Sequence, residues 1–305
     1  MVLRVRIIVN PAARGLPTRP RLSRGIEWLA DHGCTIDVYP STAPGSMRRL
    51  AAGAAAAGYD CVVACGGDGT INEVLNGVAN TSTALAVVPA GTVNVWAKEA
   101  VIPREPLGAL RLIVEGERHR LDVGRACDRF FLLMASIGLD SIAVAKVDGV
   151  LKRRLGRSAY IAAAARELLG YRGVRAEIRI GERRIETSML QLVAGNTRCY
   201  GGVLEVTNQA RADDGLLDLC LYQGSAPGAY LGHVTRTMLG SHTQSPSVLY
   251  AKVPEFDVDA ERRVPVQADG ELVGQTPTRI AVVPQAVTVV VPRGRHSPLW
   301  RPTAR

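Results

Sequence analysis

Residues 61–77 read Cys61-Val62-Val63-Ala64-Cys65-Gly66-Gly67-Asp68-Gly69-Thr70-Ile71-Asn72-Glu73-Val74-Leu75-Asn76-Gly77. The unbroken apolar run before Gly66 has the length and β-branched content of a buried strand, and from Ile71 to Ala79 the apolar residues recur at helical spacing. A strand is therefore handed to a helix through a turn holding three glycines in four positions. Glycine lets the chain turn tightly and brings N–H groups close to a bound anion, and the helix that follows adds its free amides and positive dipole end. The turn is a phosphate cradle by composition. The same residues also serve as a plain turn in which Asp68 or Thr70 caps the helix. The loop lacks the Lys-Ser/Thr of a P-loop and the spacing of a dinucleotide fingerprint, so those two nucleotide classes are disfavoured.

Outward from this unit the pattern repeats. Leu3 to Val9 reads as a strand ending at Asn10-Pro11, Leu22, Ile26, Leu29 and Ala30 as a helix, and Thr35 to Tyr39 as a strand. Met47, Leu50, Ala51 and Ala54 mark another helix, and Ala84 to Val88 another strand. Such alternation predicts parallel strands with crossover helices, an open α/β sheet whose ligands collect at the carboxyl ends of its strands. After about Leu121 the texture becomes β-rich: Phe130 to Ser136, Ala176 to Ile180, Ser188 to Ala194, Leu217 to Tyr222, Phe256 to Val258, Val264 to Ala268 and Val287 to Val291, with one helix around Ser158 to Leu169. Turn signals at Gly181-Glu182, Asp214-Gly215 and Asp269-Gly270 fit an antiparallel arrangement. The expected fold is an α/β N-terminal domain with an open, mainly parallel sheet (1–121) and a β-rich, sandwich-like antiparallel domain (122–290). A tail, 291–305, follows, with a return to the first domain as one option.

The 305 residues carry a net charge of +9, from 37 Lys+Arg against 28 Asp+Glu. Between Lys146 and Arg184 there are 11 basic and 4 acidic residues, so most of the excess lies in one stretch. A cluster of this kind is either a solvated face or a patch for an anionic partner. No run reaches the ~18 apolar residues of a membrane-spanning helix. The opening residues do not read as a signal peptide, and the six scattered cysteines show no metal spacing or disulfide framework. A cytoplasmic protein with reduced thiols is expected.

The segment from Gly66 through Gly77 resembles the nucleotide-binding signature of the diacylglycerol kinase catalytic-domain family, which includes bacterial soluble lipid kinases and the sphingosine kinases. Its Gly-Gly-Asp-Gly-Thr core is shared with NAD kinases, while the extension through Asn72-Glu73-Val74 and Asn76-Gly77 is similar to the lipid-kinase branch. Further matches follow in order: Asn10-Pro11, Thr42, Pro89-Ala90-Gly91-Thr92-Val93-Asn94, Leu121-Asp122-Val123-Gly124, Gly195-Asn196, Tyr200-Gly201-Gly202, Asp213-Asp214-Gly215 and Asp269-Gly270-Glu271. Where the family has a Gly about three residues after the first Pro, Arg14 stands here before Gly15.

The resemblance implies ATP as phosphate donor, contacted by Asn10, Pro11, Thr42, Gly66, Gly67, Asp68, Gly69, Thr70, Ile71, Asn72, Thr92 and Asn94. Read alone, Asn10-Pro11 is a turn, and Thr42 and Thr92 are caps or turn residues. The resemblance implies Mg²⁺ twice. One ion would travel with ATP near Asp68 and Asp122, both counted with the catalytic residues. The other would be structural, held by Asp214 and the carbonyls of Arg211 and Leu216, an oxygen set that also suits Ca²⁺. Asp269-Gly270 is by local preference a hairpin turn. By resemblance Glu271 is the general base that takes the proton of a lipid hydroxyl. The expected partner is a lipid, diacylglycerol or a related alcohol such as a sphingoid base, met at an anionic membrane surface by a peripherally associated enzyme that acts alone or as a homodimer. Phosphorylation of a nucleotide 2′-hydroxyl, as by an NAD kinase, is the alternative activity. A non-catalytic nucleotide- or nucleic-acid-binding module is the alternative class, and three Phe and three Trp give it few stacking platforms.

Overall fold

In this computed structural model, residues 2–146, 171–294 and 297–300 are described. The helix expected around 158–169 and most of the basic stretch lie outside them. The chain divides into two compact units, the first made of Met1–Val123, Ala212–Asp214 and Val283–Arg305, the second of Gly124–Arg211 and Gly215–Val282.

The first unit is built on β1 (Leu3–Val9), α1 (Arg19–Asp31), β2 (Cys34–Pro40), α2 (Ser46–Ala56), β3 (Cys61–Gly66), α3 (Asp68–Val78) and β4 (Ala84–Pro89), followed by α4 (Val95–Glu99) and α5 (Pro106–Glu115). Strands pair in parallel in the order β2-β1-β3-β4, and the end of β15 (Thr278–Val291) joins β4 in parallel at Val289 and Leu85. The strand order reverses at β1, so the crevice between the carboxyl ends of β1 and β3 is the topological switch point where open α/β sheets bind ligands. All six residues of β3 and all six of β4 are buried, as expected of strands covered by helices on both faces. Ile7, Ile8, Leu29, Ile71, Leu75, Leu85 and Leu110 are among the largest fully buried side chains, each contributing about 1.5–3 kcal/mol by leaving water.

The last part of the chain belongs to this unit. Ser297 donates from its hydroxyl to the Glu99 carbonyl at 2.8 Å, and the Trp300 ring lies 5.2 Å from that of His119 and 6.5 Å from that of Trp96. Residues 283–290, expected with the second domain, also lie here, because β15 runs on past Val282 to reach the parallel sheet.

The second unit contains β6 (Arg129–Phe131), β7 (Met134–Gly138), α6 (Leu139–Lys146), β8 (Val174–Ile180), β9 (Arg183–Gly195), β10 (Leu217–Gln223), α7 (Pro227–Met238), β11 (Val248–Val253), β12 (Glu255–Ala260), β13 (Pro265–Ala268) and β14 (Glu271–Gln275). β5 (Glu117–Ala126) leads into it. Pairing is antiparallel throughout, in the order β14-β13-β7-β9-β8-β12, with β10 set between β9 and β11. Alternate residues such as Val174, Ala176 and Ile178 of β8 point into a core with Phe131, Leu192, Leu219 and Phe256. The single strand expected over Phe130 to Ser136 is two. The amides of Leu132 and Leu133 between them, and that of Met134 at the start of β7, turn to the Asp269 carboxylate at 2.8, 3.0 and 3.0 Å, which interrupts the strand there.

Candidate functional site

At the switch point, Asn10 follows β1 and its amide N–H donates to the Cys65 carbonyl at 3.0 Å, while its side-chain Nδ2 donates to the Thr70 hydroxyl at 2.9 Å. Asn10 Oδ1 accepts from the Ala12 amide at 3.0 Å and shapes the turn after the strand. The two expected nucleotide residues thus lock β1's exit to the first turn of α3. Gly15 reaches the Ala90 carbonyl with its N–H at 2.9 Å, so the first loop closes against β4 despite the shifted position of its glycine.

The glycine turn is tight because its neighbours leave no room for side chains. A Cβ on Gly66 would fall 2.2 Å from the Thr70 hydroxyl oxygen, and one on Gly91 would fall 2.5 Å from the Gly67 Cα. Gly91 after β4 therefore lets two loops meet backbone to backbone. Gly69, by contrast, is exposed with open space at its Cβ position. Helix α3 starts at Asp68, three residues before the apolar spacing shows it, and its N-cap is Gly67, which has no side-chain oxygen to occupy the first-turn amides. Such a surface of amides, bare of Cβ atoms and at a helix start, fits a polyphosphate.

Asp68 has a defined task. Its two carboxylate oxygens accept from the amides of Val95 and Trp96 at 3.1 and 3.2 Å, capping α4. Burial pushes its carboxyl above the ordinary carboxylate range, against the pull of those amides. Asn94, in the left-handed region at φ 52°, clasps Gly91 both ways, accepting from its N–H and donating to its carbonyl at 2.8 Å each. Thr92 is exposed beside this clasp and Ile71 is buried behind the cradle. Asn72 is also buried, and Asn76 Nδ2 donates to its carbonyl and side-chain oxygen. Gly77 has a packing role, since a Cβ there would meet Ala51 and the Arg48 carbonyl of α2 at 2.6 Å. Thr42 is exposed after β2, with its N–H donating to the Ser46 hydroxyl at 3.3 Å. Pro11 lies exposed in the first turn. Burial pushes the thiols of Cys61 and Cys65 up to about 12, so neither serves as a nucleophile near neutral pH.

Asp122 is buried in the first unit, where its Oδ1 accepts from the Gln285 amide at 2.8 Å and its own N–H donates to the Ala212 carbonyl at 2.7 Å. Ala212 in turn donates to the Leu299 carbonyl at 2.7 Å. Of the expected metal residues, Asp214 is grouped with the first unit and Arg211 and Leu216 with the second. Among the described residues no cluster of three His, Cys, Asp or Glu side chains forms.

In the second unit Asp269 and Gly270 both have positive φ, 48° and 84°, the requirement of a type I′ turn, and they join β13 to β14 with Ala268 opposite Glu271. Glu271 thus opens β14. Its side chain is 43% exposed and pairs with the Arg129 guanidinium at 3.2 Å, so the carboxylate is held by a rigid strand yet open to an incoming hydroxyl.

Sequence reasoning missed what lies behind this turn. The Gly270 amide donates to Gln267 Oε1 at 2.8 Å, and Gln267 Nε2 donates to the Ser136 hydroxyl at 2.5 Å and to Asp140 at 3.3 Å. Asp140, buried at the start of α6, also accepts from Ser136 and the Tyr200 hydroxyl, and burial raises its carboxyl above the usual range. Ser136, Asp140 and Gln267 lie on three different elements and carry no local signal beyond being polar among apolar neighbours.

The two units define a class: an α/β nucleotide-type domain with an amide-lined cradle at its switch point, joined to an antiparallel domain that presents a turn-held carboxylate. Residues 4–126 match the diacylglycerol kinase catalytic domain, and residues 134–291 match the YegS C-terminal NAD kinase beta sandwich-like domain. The chain belongs to the diacylglycerol kinase catalytic-domain family, and by that membership it is a kinase. It is 28% identical over 293 residues to a diacylglycerol kinase of Staphylococcus epidermidis, covering 95% of this chain and 92% of that one. To the diacylglycerol kinase of Bacillus subtilis it is 26% identical over 299 residues, covering 97% and 99%. A diacylglycerol kinase crystal structure from Bacillus anthracis str. Sterne shares the fold, with TM-score 0.74 at 20% identity over 95% of this chain and 97% of that one. A second solved protein of that organism superposes with TM-score 0.80 at 22% identity, covering 95% of each chain.

Proposed function

We propose that the protein transfers the γ-phosphate of ATP to the hydroxyl of a lipid alcohol, diacylglycerol or a close relative. The observation that carries this reading is the pairing, within one chain of this family, of the Gly66–Thr70 amide cradle with the turn-held carboxylate of Glu271. The cradle fits a polyphosphate, with Gly66, Gly67, Gly69 and Thr70 at the phosphates, Asn10, Ile71 and Asn72 fixing the loop, and Thr42, Thr92, Asn94 and Pro11 at its edges. Asp68 supports a metal–nucleotide complex over bare ATP, because a carboxylate beside a phosphate cradle repels the free polyanion and attracts its Mg²⁺ form. Asp122 serves by fixing the backbone at Gln285 and Ala212. Mg²⁺ when bound supplies charge neutralisation at the phosphates.

Glu271 is the proposed general base. The attacking hydroxyl must lose its proton as the new P–O bond forms, and a carboxylate within hydrogen-bond reach accepts it. Arg129 orients that carboxylate through their 3.2 Å ion pair, and Asp269 fixes the turn from which it projects. Asp214, with carbonyls of Arg211 and Leu216, is the proposed structural cation site, of Mg²⁺ or Ca²⁺ chemistry. The enzyme is proposed to work peripherally on a membrane from the cytoplasmic side; among the described residues no helix is long and apolar enough to cross one.

The test is Glu271→Gln with ATP, Mg²⁺ and diacylglycerol in mixed micelles. Turnover is expected to fall about 10²–10⁴-fold, the usual weight of a general base, with ATP affinity unchanged. Retained turnover removes Glu271 from the chemistry, and NADP formation from NAD by the wild type would move the acceptor to a nucleotide.

A further inference from the structure

Helix α7 is built inside out. The face it turns to its own unit is polar: the Thr237 hydroxyl bonds that of Tyr222 at 2.8 Å, His233 Nε2 bonds the Gln223 carbonyl at 3.0 Å, and the Tyr230 hydroxyl donates to Gln191 Oε1 at 2.5 Å. His233 and Thr237 are buried. The opposite face carries Leu231, Met238 and, just past the helix end, Leu239, which are 60%, 71% and 75% exposed. At 100° per residue these three span about a quarter of the helix circumference and lie away from His233 and Thr237. A helix of a water-soluble domain ordinarily does the reverse. Few large apolar side chains are this exposed among the described residues, and three of them sit within nine positions. From residue 219 to residue 254 the chain has no Asp or Glu, while Arg236 stands exposed on this helix and Lys252 follows it.

We infer that α7 is a membrane-docking element, laying Leu231, Met238 and Leu239 into the interface of an anionic bilayer with Arg236 at the headgroups. The inference rests on the reading of the acceptor as a lipid, which gives the enzyme a reason to reach a bilayer. Charge selects the occupant. An acid-free stretch bearing Arg236 meets anionic headgroups without repulsion, whereas self-association would bring Arg236 of two copies together.

The experiment is co-sedimentation of the full chain with sucrose-loaded phosphatidylglycerol vesicles, for the wild type and the double variant Met238→Ser/Leu239→Ser. Loss of two inserted side chains is expected to lower vesicle partitioning about tenfold or more, and Met238→Leu is expected to retain it. Since the substituted groups are exposed, urea unfolding of the double variant should match the wild type. ATP-dependent phosphorylation of a short-chain, monomerically dissolved diacylglycerol should also be unchanged. Vesicle binding that the double variant leaves intact overturns the inference, as does a wild-type dimer that the variant dissociates. Absence of short-chain phosphorylation in the wild type would instead overturn the lipid-kinase reading, whatever the vesicles show.

Discussion

Gly91 and Gly67 touch through their backbones, and nothing larger than hydrogen fits between them: a Cβ on Gly91 would lie 2.5 Å from a backbone carbon that cannot move aside. Gly91→Ala is expected to destabilise the protein by about 1–3 kcal/mol as an overpacked site and to weaken ATP binding more than tenfold. Urea unfolding and equilibrium nucleotide titration read the two effects separately. At Asp269 the carboxylate receives three consecutive backbone amides. Asp269→Ala leaves those amides without their acceptor and is expected to cost about 2–4 kcal/mol by urea unfolding, with turnover lost along with the geometry of Glu271. Asp140 adds a pH dependence. Its carboxyl is raised above the ordinary value of 3.8 because burial disfavours the charged form more than its hydrogen bonds favour it. The folded state therefore binds this proton more tightly than the unfolded chain. The resulting stability is complete below the unfolded value and is lost as pH rises through the raised folded value. Asp140→Asn should abolish that part of the slope, so in urea unfolding across the acid range the wild type should lose stability relative to the variant as pH rises. Parallel curves would show that Asp140 does not titrate there.

Individual elements were legible where a local rule governs them. β3 announces itself as Cys61 to Cys65, and the glycine turn and α3 follow by simple periodicity. The Asp269-Gly270 turn was legible for the same reason, since two successive positive φ values demand such a pair. α7 was not. Pro227-Gly228-Ala229-Tyr230-Leu231-Gly232 has two glycines, and its apolar residues face out, so the periodicity that marks a buried helix face is inverted. α6 was hidden for a different reason: it follows β7 directly, the turn being made at the strand's last residue, Gly138, at φ 126°. The split of Phe130 to Ser136 was also illegible, because a carboxylate more than 130 residues away in sequence takes the amides that would have continued the strand. The basic stretch keeps its sequence reading only in part. Its described portion lies on β8 and β9, where Arg179 pairs with Glu177 at 2.7 Å and Glu177 stands opposite Glu186, a mixed surface of both signs.

At the scale of the whole molecule, the sequence reading separated an α/β part from a β-rich part but drew the second as one continuous block. Folding returns Ala212–Asp214 and Val283–Arg305 to the first unit, through contacts such as Ala212 to Leu299 that link residues far apart in the chain and leave no periodic trace. The Gly66–Thr70 cradle and Glu271 were both named from sequence, yet they belong to separate units. What sequence withheld was their support: Asp68 capping α4, Asn94 clasping Gly91, and the Gln267–Asp140–Tyr200 network behind Gly270. The central claim is that these supports hold a phosphotransferase whose acceptor is a lipid hydroxyl. Its most direct measurement is transfer of labelled γ-phosphate from ATP to diacylglycerol in mixed micelles with Mg²⁺. The account predicts a labelled phosphatidic acid product from the wild type and loss of that product in Glu271→Gln. No labelled lipid across diacylglycerol, sphingoid bases and related alcohols, from protein shown to bind ATP, would contradict it.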